Sequence, residues 1–291
     1  MKSSVLSRPP DIHAYLSDLH ALSSDEREAA LKYPQPLFYI EEASHGPRNS
    51  DDLLALKSRA TDRNPESWVS TFEALTAYLW QKVYQTRILY LVPREDFIES
   101  TASKISTGLW ASLNVRGKER LDLSPRYFPN AVHATCMNRS HEMLAHGDLR
   151  DVAAAVHKMI RSEDKERILQ TTRWITAQPD KSLIRVNFTF GNGNFTVSQW
   201  SGFDMYSGVY FDVDESGKPI HPSLVAPPFT EISRVDGLAM ILSSEETVEV
   251  AASTKACSSC DLPCAIDVNL TLSEPLWQIL DTSSGFRSCY R

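Results

Sequence analysis

No apolar run in this 291-residue chain reaches the ~18–20 residues that a membrane-crossing helix needs. The opening stretch, MKSSVLSRPPDIHAYLSDLH, has no apolar core of secretory-leader length. Both absences predict a cytoplasmic protein with no membrane partner. Basic residues are few: 30 Lys and Arg against 37 Asp and Glu leave a net charge of −7. They nowhere cluster densely enough to track phosphates, so no nucleic-acid partner is expected. A GxSxG elbow, an HExxH helix and a GxxxxGK[ST] loop are all missing, which removes three familiar catalytic readings. Five cysteines in a cytoplasmic chain are expected to stay reduced. The sequons at Asn138, Asn187, Asn194 and Asn269 are then expected to be silent. No internal repeat is found.

What is present is ordinary globular material. At 42% hydrophobic and 23% charged, the chain can build one large domain or two moderate ones. Residues 1–50 hold Pro9, Pro10, Pro34, Pro36 and Pro47 around one helical stretch, SSDEREAALKY. They read as an extended linker or crossover segment. PLFYIEE is strand-like, and DDLLALKSRATD is a short helix. WVSTFEALTAYLWQKV (68–83) spaces Trp68, Phe72, Leu75, Leu79, Trp80 and Val83 three or four apart, one apolar helix face. Ser70 is its N-cap, and Glu73 three residues later completes a capping box.

Strands are expected within 103–115 and 126–138, and helices over 147–164 and in KERILQTTRWITAQ. LIRVNFTF and FTVSQWSGF, joined by GNGN, read as a hairpin. Strands at GLAMILS and TVEVAAS precede a last helix, LSEPLWQIL. The order predicts a mixed α/β (α+β) fold of helices and antiparallel hairpins, without regular βαβ alternation.

Three constellations offer chemistry. CSSCDLPC (257–264) puts Cys257, Cys260 and Cys264 within reach of a zinc or iron–sulfur site, with Cys289 as a fourth ligand. A four-cysteine site ordinarily shows two CxxC pairs and this stretch has one, so no metal is expected. Asp204, Asp212, Asp214 and Glu215 are carboxylates suited to acid–base or metal work, although DVDESGKP also reads as a solvated turn. His141 and His146, five apart, are expected on different helix faces, and His157, inside an amphipathic helix, as a partly buried surface residue; all are read as structural.

Four stretches, in order along the chain, resemble the BAHD acyl-CoA-dependent acyltransferases, particularly fungal members of the trichothecene 3-O-acetyltransferase type. They are WVSTFEALTAYLWQKVYQTR, LNVRGKERLDLSPRYFPNAV (with Pro129 in place of a glycine), FTVSQWSGFDMY and GKPIHPSLVAPPF. The resemblance covers only the family's second half. It implies a chloramphenicol-acetyltransferase-like fold, with 51–291 as the C-terminal domain and about 198–225 packing on a first domain. It implies acyl transfer from acyl-CoA, most simply acetyl-CoA, to a hydroxyl of a small-molecule acceptor from secondary metabolism. Lys57, Ser70 and Thr71 would lie near pantetheine and phosphates, with Ser198 and Trp200 lining the channel.

Two departures matter. The family's HxxxDG is absent: none of the eight histidines has an aspartate four residues on. Anchored on Gly217, Lys218 and Pro219, the family's DFGWG motif reads VDESGKP, with its aspartate at Val213. Arg116 would then lose a structural partner unless Asp212 or Asp214 supplies it. The expectation is a truncated or mis-started acyltransferase, Met1 being an internal methionine, inactive alone. Such a chain would need a first-half domain or associate with itself. The alternatives are a non-catalytic metabolite-binding or complementing half-protein, and a different chemistry at the carboxylates or cysteines.

Overall fold

The computed structural model describes Asp25 and residues 56–61, 68–91, 105–123, 127, 131–177, 186–203, 206, 210, 212–213, 215–220, 222, 224–228, 230–244, 266–283 and 286. The chain divides into two units, Met1–His45 and Gly46–Arg291. The sheet and the helices around it belong to the second unit. The expected linker (apart from Asp25), the strands PLFYIEE and TVEVAAS, and CSSCDLPC lie outside the described residues.

Helix α1, Thr71–Leu91, starts where the capping box places it. Ser70 N donates to Glu73 Oε2 at 2.6 Å, and Glu73 N donates to Ser70 Oγ at 3.2 Å. Two of the unpaired N–H groups of a helix start are satisfied this way. The helix runs eight residues past the expected Val83, since neither glycine nor proline interrupts it before Pro93. The single apolar face expected of it is not what forms. Every residue from Glu73 to Gln81 is buried, because α1 is a central helix packed by others on several sides. Trp68, expected on that face, is 50% exposed.

The strands are β1 (Gly108–Asn114), β2 (Val132–Asn138), β3 (Phe195–Gln199), β6 (Leu238–Ser243) and β7 (Ile266–Thr271). They form one mixed sheet in the order β2-β1-β3-β6-β7. β1, β3 and β6 run parallel at its centre, with Leu109 beside Phe195 and Val197 beside Ala239. β2 and β7 are antiparallel edges. Leu109, Ala111, Phe195, Val197, Ala239 and Ile241 join Leu75, Leu79, Trp80 and Val83 of α1 in one core. Side chains two apart on a strand share a face, and this alternation explains which residues meet the helix.

Around α1 pack α2 (His141–His146), α3 (Leu149–Arg161) and α5 (Glu274–Thr282). α4 (Lys165–Ala177) follows α3 as expected. Leu149, Val152, Val156 and Ile160 are buried along α3, the stripe its sequence predicts. α1 also holds α2 through polar groups: Gln81 Nε2 donates to Gly147 O at 2.8 Å and Gln85 Nε2 to Ala145 O at 3.0 Å. Carbonyls at the end of a short helix lack partners of their own, and these amides supply them.

The expected hairpin around GNGN does not form among the described residues. Residues 186–190 are not a strand; Phe188 and Phe190 instead pack their rings on Trp110 at 5.3 and 5.4 Å. Asn194 turns into the sheet, Oδ1 accepting from Gly108 N at 2.9 Å. β3 is flanked on both edges by β1 and β6, so a hairpin partner has no place. The centre of the sheet is parallel where antiparallel hairpins were expected. DVDESGKP does form its turn, between β4 (Asp212–Val213) and β5 (Pro219–Ile220), with Gly217 at φ +78°.

Candidate functional site

A cavity of about 580 Å³ opens at the carboxyl ends of β1, β3 and β6, the end of a parallel sheet where ligands ordinarily bind. Ser112 and Asn114 come from β1, Gln199 and Ser201 from the end of β3, and Ile241 and Ser243 from β6. The N-terminus of α1 faces them, contributing Ser70, Thr71, Phe72 and Glu73. First-turn N–H groups and the helix dipole favour an anion at such an end. Ile160 and Arg161 of α3, Glu119 and Arg120 of the turn after β1, Leu113 of β1 and Ile266 of β7 complete the lining.

Glu73 is the most constrained of these side chains. Its carboxylate is 2% exposed. It accepts from Ser70 N at 2.6 Å, meets His157 Nδ1 at 3.0 Å and lies 3.8 Å from Arg161 Nε. Arg161 in turn donates from Nη1 to Glu119 Oε2 at 2.9 Å. Arg120 donates from Nη1 to Asn114 O at 3.0 Å. Burial, and then the positive charge of Arg161 beside it, lower the Arg120 pKa from its usual range. Two guanidinium groups and a helix N-terminus therefore share one polar cavity with two carboxylates and several hydroxyls. That arrangement suits a ligand with anionic groups at one end and hydrogen-bonding groups along its length.

Of the sequence-predicted site residues, Ser70 and Thr71 line this cavity. Lys57 is nearby in chain but engaged elsewhere, its Nζ 5.4 Å from the centre of the Trp68 ring. Ser198 and Trp200 are bonded to each other, Trp200 Nε1 donating to Ser198 Oγ at 2.9 Å. Alternate residues Gln199 and Ser201 are the ones at the cavity. Arg116 donates from Nε and Nη2 to Tyr127 O at 3.1 and 3.0 Å, and from Nη1 to Asn114 Oδ1 at 3.2 Å. Asp212 lies in β4, where its Oδ1 accepts from Val213 N at 2.8 Å. Asp214, the other candidate partner, is outside the described residues, as is Asp204.

The described histidines are tied into the scaffold. His133 Nε2 meets the buried Glu163 carboxylate at 3.1 Å, and Thr135 Oγ1 donates to the same carboxylate at 3.0 Å. His141 Nδ1 lies 2.8 Å from the hydroxyl of Tyr84, a phenol whose pKa burial raises. The rings of His141 and His146 come within 6.3 Å, edge to face, so the separate helix faces expected of them do not keep them apart. Among the described residues no group of three or more His, Cys, Asp or Glu is placed to hold a metal, and no helix is long and apolar enough to cross a membrane.

Sequence reasoning missed Arg120, Arg161, Gln199 and Ser243. Arg120 had a signal, standing in the NVRGKER stretch. Arg161 had another, one helical turn beyond His157. Nothing local announces Ser243, which reaches the cavity only because β6 lies beside β3.

The fold and the chain's relatives agree. The family model described as "Transferase family" matches residues 18–254. The eremophilane O-acetyltransferase prx11 of Penicillium rubens is 24% identical over 161 residues, 54% of this chain and 33% of that protein. TRI101 of F. sporotrichioides, solved with coenzyme A and T-2, has a TM-score of 0.56 at 16% identity, over 91% of this chain and 57% of its own. TRI101 of F. graminearum with ethyl coenzyme A has a TM-score of 0.59 at 15% identity, over 90% and 56%. The chain thus spans a little over half the length of these solved relatives, with their chloramphenicol-acetyltransferase-like fold. It belongs to the Transferase family, the BAHD-type acyl-CoA-dependent acyltransferases.

Proposed function

We propose that this chain is the C-terminal part of an acyltransferase. It moves an acyl group, most simply acetyl, from acyl-CoA to a hydroxyl of a small fungal secondary metabolite in the cytoplasm. The observation that carries this reading is the cavity at the carboxyl ends of the parallel strands, entered by the N-terminus of α1 with Ser70 and Thr71 at its rim. The relatives with bound coenzyme A share the fold. Their acceptors support a small-molecule partner.

In this reading residues 51–291 wall the cofactor, residues 1–50 are the crossover segment, and about 198–225 pack on a first-half domain. Lys57 joins Ser70 and Thr71 on the cofactor side, and Ser198 and Trp200 stand towards the acceptor channel. Arg116 and Asp212 keep structural roles. Attack of a hydroxyl on a thioester needs a base for its proton and donors for the oxyanion. No histidine of this sequence has an aspartate four residues on, so the base comes from the first half. Without a general base, transfer falls by ~10²–10⁴ while binding persists.

Calorimetry with coenzyme A and transfer of labelled acetyl to hydroxylated terpenoid acceptors test this together. The chain alone is expected to bind coenzyme A without turnover. Turnover is expected once a polypeptide carrying HxxxD is supplied. Turnover by the chain alone, with contaminating enzymes excluded, overturns the half-protein reading; lack of coenzyme A binding overturns the assignment of the cavity.

A further inference from the structure

Glu73 does more than cap α1. A carboxylate that is 2% exposed has to be compensated by partners, because burying an unpaired charge costs several kcal/mol. A histidine and an arginine reach it, both from α3: His157 at 3.0 Å and Arg161 at 3.8 Å. Arg161 is always charged. A histidine carries charge only when protonated, and of the residue types gathered here it alone ordinarily changes charge between pH 5 and 8.

We propose that Glu73, His157 and Arg161 act together as positioning residues for the anionic part of the cavity's ligand, with the charge on His157 deciding how much of Arg161 that ligand can claim. The proposal rests on the reading of the cavity as the coenzyme A site. With His157 neutral, Nδ1–H still donates to Glu73 and the Ser70–Thr71 turn keeps its shape. The carboxylate's charge then falls to Arg161 alone. With His157 protonated, Glu73 is balanced where it stands, and the guanidinium turns its field to the cavity.

The surroundings leave His157 free to do this. Its side chain is 32% exposed, so protons reach it, and its ring is held edge-on against Trp68 at 6.2 Å. Trp68 also carries Arg161 at 5.6 Å and Lys57 at 5.4 Å from its ring centre. Glu119 and Arg120 face the cluster from the turn after β1, Glu119 as a second claimant on Arg161 at 2.9 Å. The outcome is a cavity whose affinity for phosphate groups rises as pH falls.

The test is coenzyme A affinity between pH 6 and 8.5 for the full chain and for His157→Gln, which keeps a hydrogen-bond donor but cannot titrate. Because the ligand's own terminal phosphate gains a proton in this range, the ratio of the two affinities is read. One added charge beside the cavity is expected to raise that ratio about threefold to tenfold from pH 8.5 to pH 6. Arg161→Gln should weaken binding at both ends of the range and abolish the difference. An NMR titration of the His157 ring in the unaltered chain needs no variant to fold. Coenzyme A should move that titration to higher pH, since linkage is reciprocal. A ratio that does not change, or a His157 titration indifferent to coenzyme A, overturns this proposal and leaves the site assignment standing. Absence of coenzyme A binding at every pH overturns both.

Discussion

Helix α1 carries one buried charge near each end, and the two ends are used differently. At the N-terminus Glu73 faces a cavity, and its partners His157 and Arg161 are themselves 32% and 43% exposed. Near the C-terminus Arg87, 6% exposed, donates from Nη2 to Asp236 Oδ2 at 2.9 Å and from Nη1 to Gly193 O, with Asp236 itself 37% exposed. Gly237, at φ +85°, presses so close that an added Cβ would lie 2.5 Å from Asn194 O and 2.6 Å from Arg87 Nη2. Both signs suit the helix dipole. One end, though, keeps its charges reachable by a ligand, while the other spends them on two turns of the scaffold. Burial alone does not mark a functional charge; a cavity lined by it and its partner does.

The comparison breaks most readily at the Arg87 end. Arg87→Ala leaves Asp236 Oδ2 and the Gly193 carbonyl without this donor, and unfolding in urea should show a loss of about 3 kcal/mol. That is the lower end for a broken buried pair, because Asp236 keeps some water. Gly237→Ala meets both a left-handed backbone and a closed space; a loss of about 2 kcal/mol is expected by the same measurement. Ser70→Ala should cost only about 1 kcal/mol as a lost cap. It should also weaken coenzyme A binding measured by calorimetry, and by more than either change at the other end. Equal effects of Ser70→Ala and Arg87→Ala on ligand affinity at matched stability would remove the distinction between the ends.

The smallest effect concerns a cap without a buried partner. Asp148 accepts from Arg150 N at 2.9 Å at the start of α3, and its bonds to Arg150, side chain first, lower its pKa to about 2. A depressed carboxylate stabilises the fold above its unfolded value and loses that contribution as pH falls through its folded value. Acid unfolding should therefore show the Asp148 contribution vanish between about pH 4 and about pH 2. Asp148→Asn, which still accepts a hydrogen bond, should flatten the slope in that window.

Much of this architecture was legible in local pattern. Ser70 and Glu73 announced the start of α1 because a capping box is a contact between residues three apart. The stripe of Leu149, Val152, Val156 and Ile160 announced α3 for the same reason. β7 was missed although Ile266, Val268 and Leu270 alternate with polar residues as a half-buried strand should. What no local pattern held was the pairing across the fold. A Gly-Asn turn after an apolar run reads as a hairpin until the neighbours of β3 are known. Glu73 and His157 are 84 positions apart, so the sequence shows a cap and a surface histidine where the fold makes a pair. Ser70 and Thr71 line the cavity at a helix start that local pattern marks, while Arg161 and Ser243 arrive there only through packing.

The clamp on Arg87 has a mechanical side. It holds α1 to the turns at Gly193 and Gly237 about 25 Å along the helix from Ser70, at 1.5 Å per residue. A rod pinned near one end magnifies small rotations at the other. A tilt of about 2° at the pin would carry the Ser70 hydroxyl through about 1 Å. Displacements of that size can cost a positioned reaction ~10²-fold. Substitutions around Gly193, Asp236 and Gly237 would then be felt as altered ligand geometry at the opposite end of the sheet, without any of these residues touching the cavity.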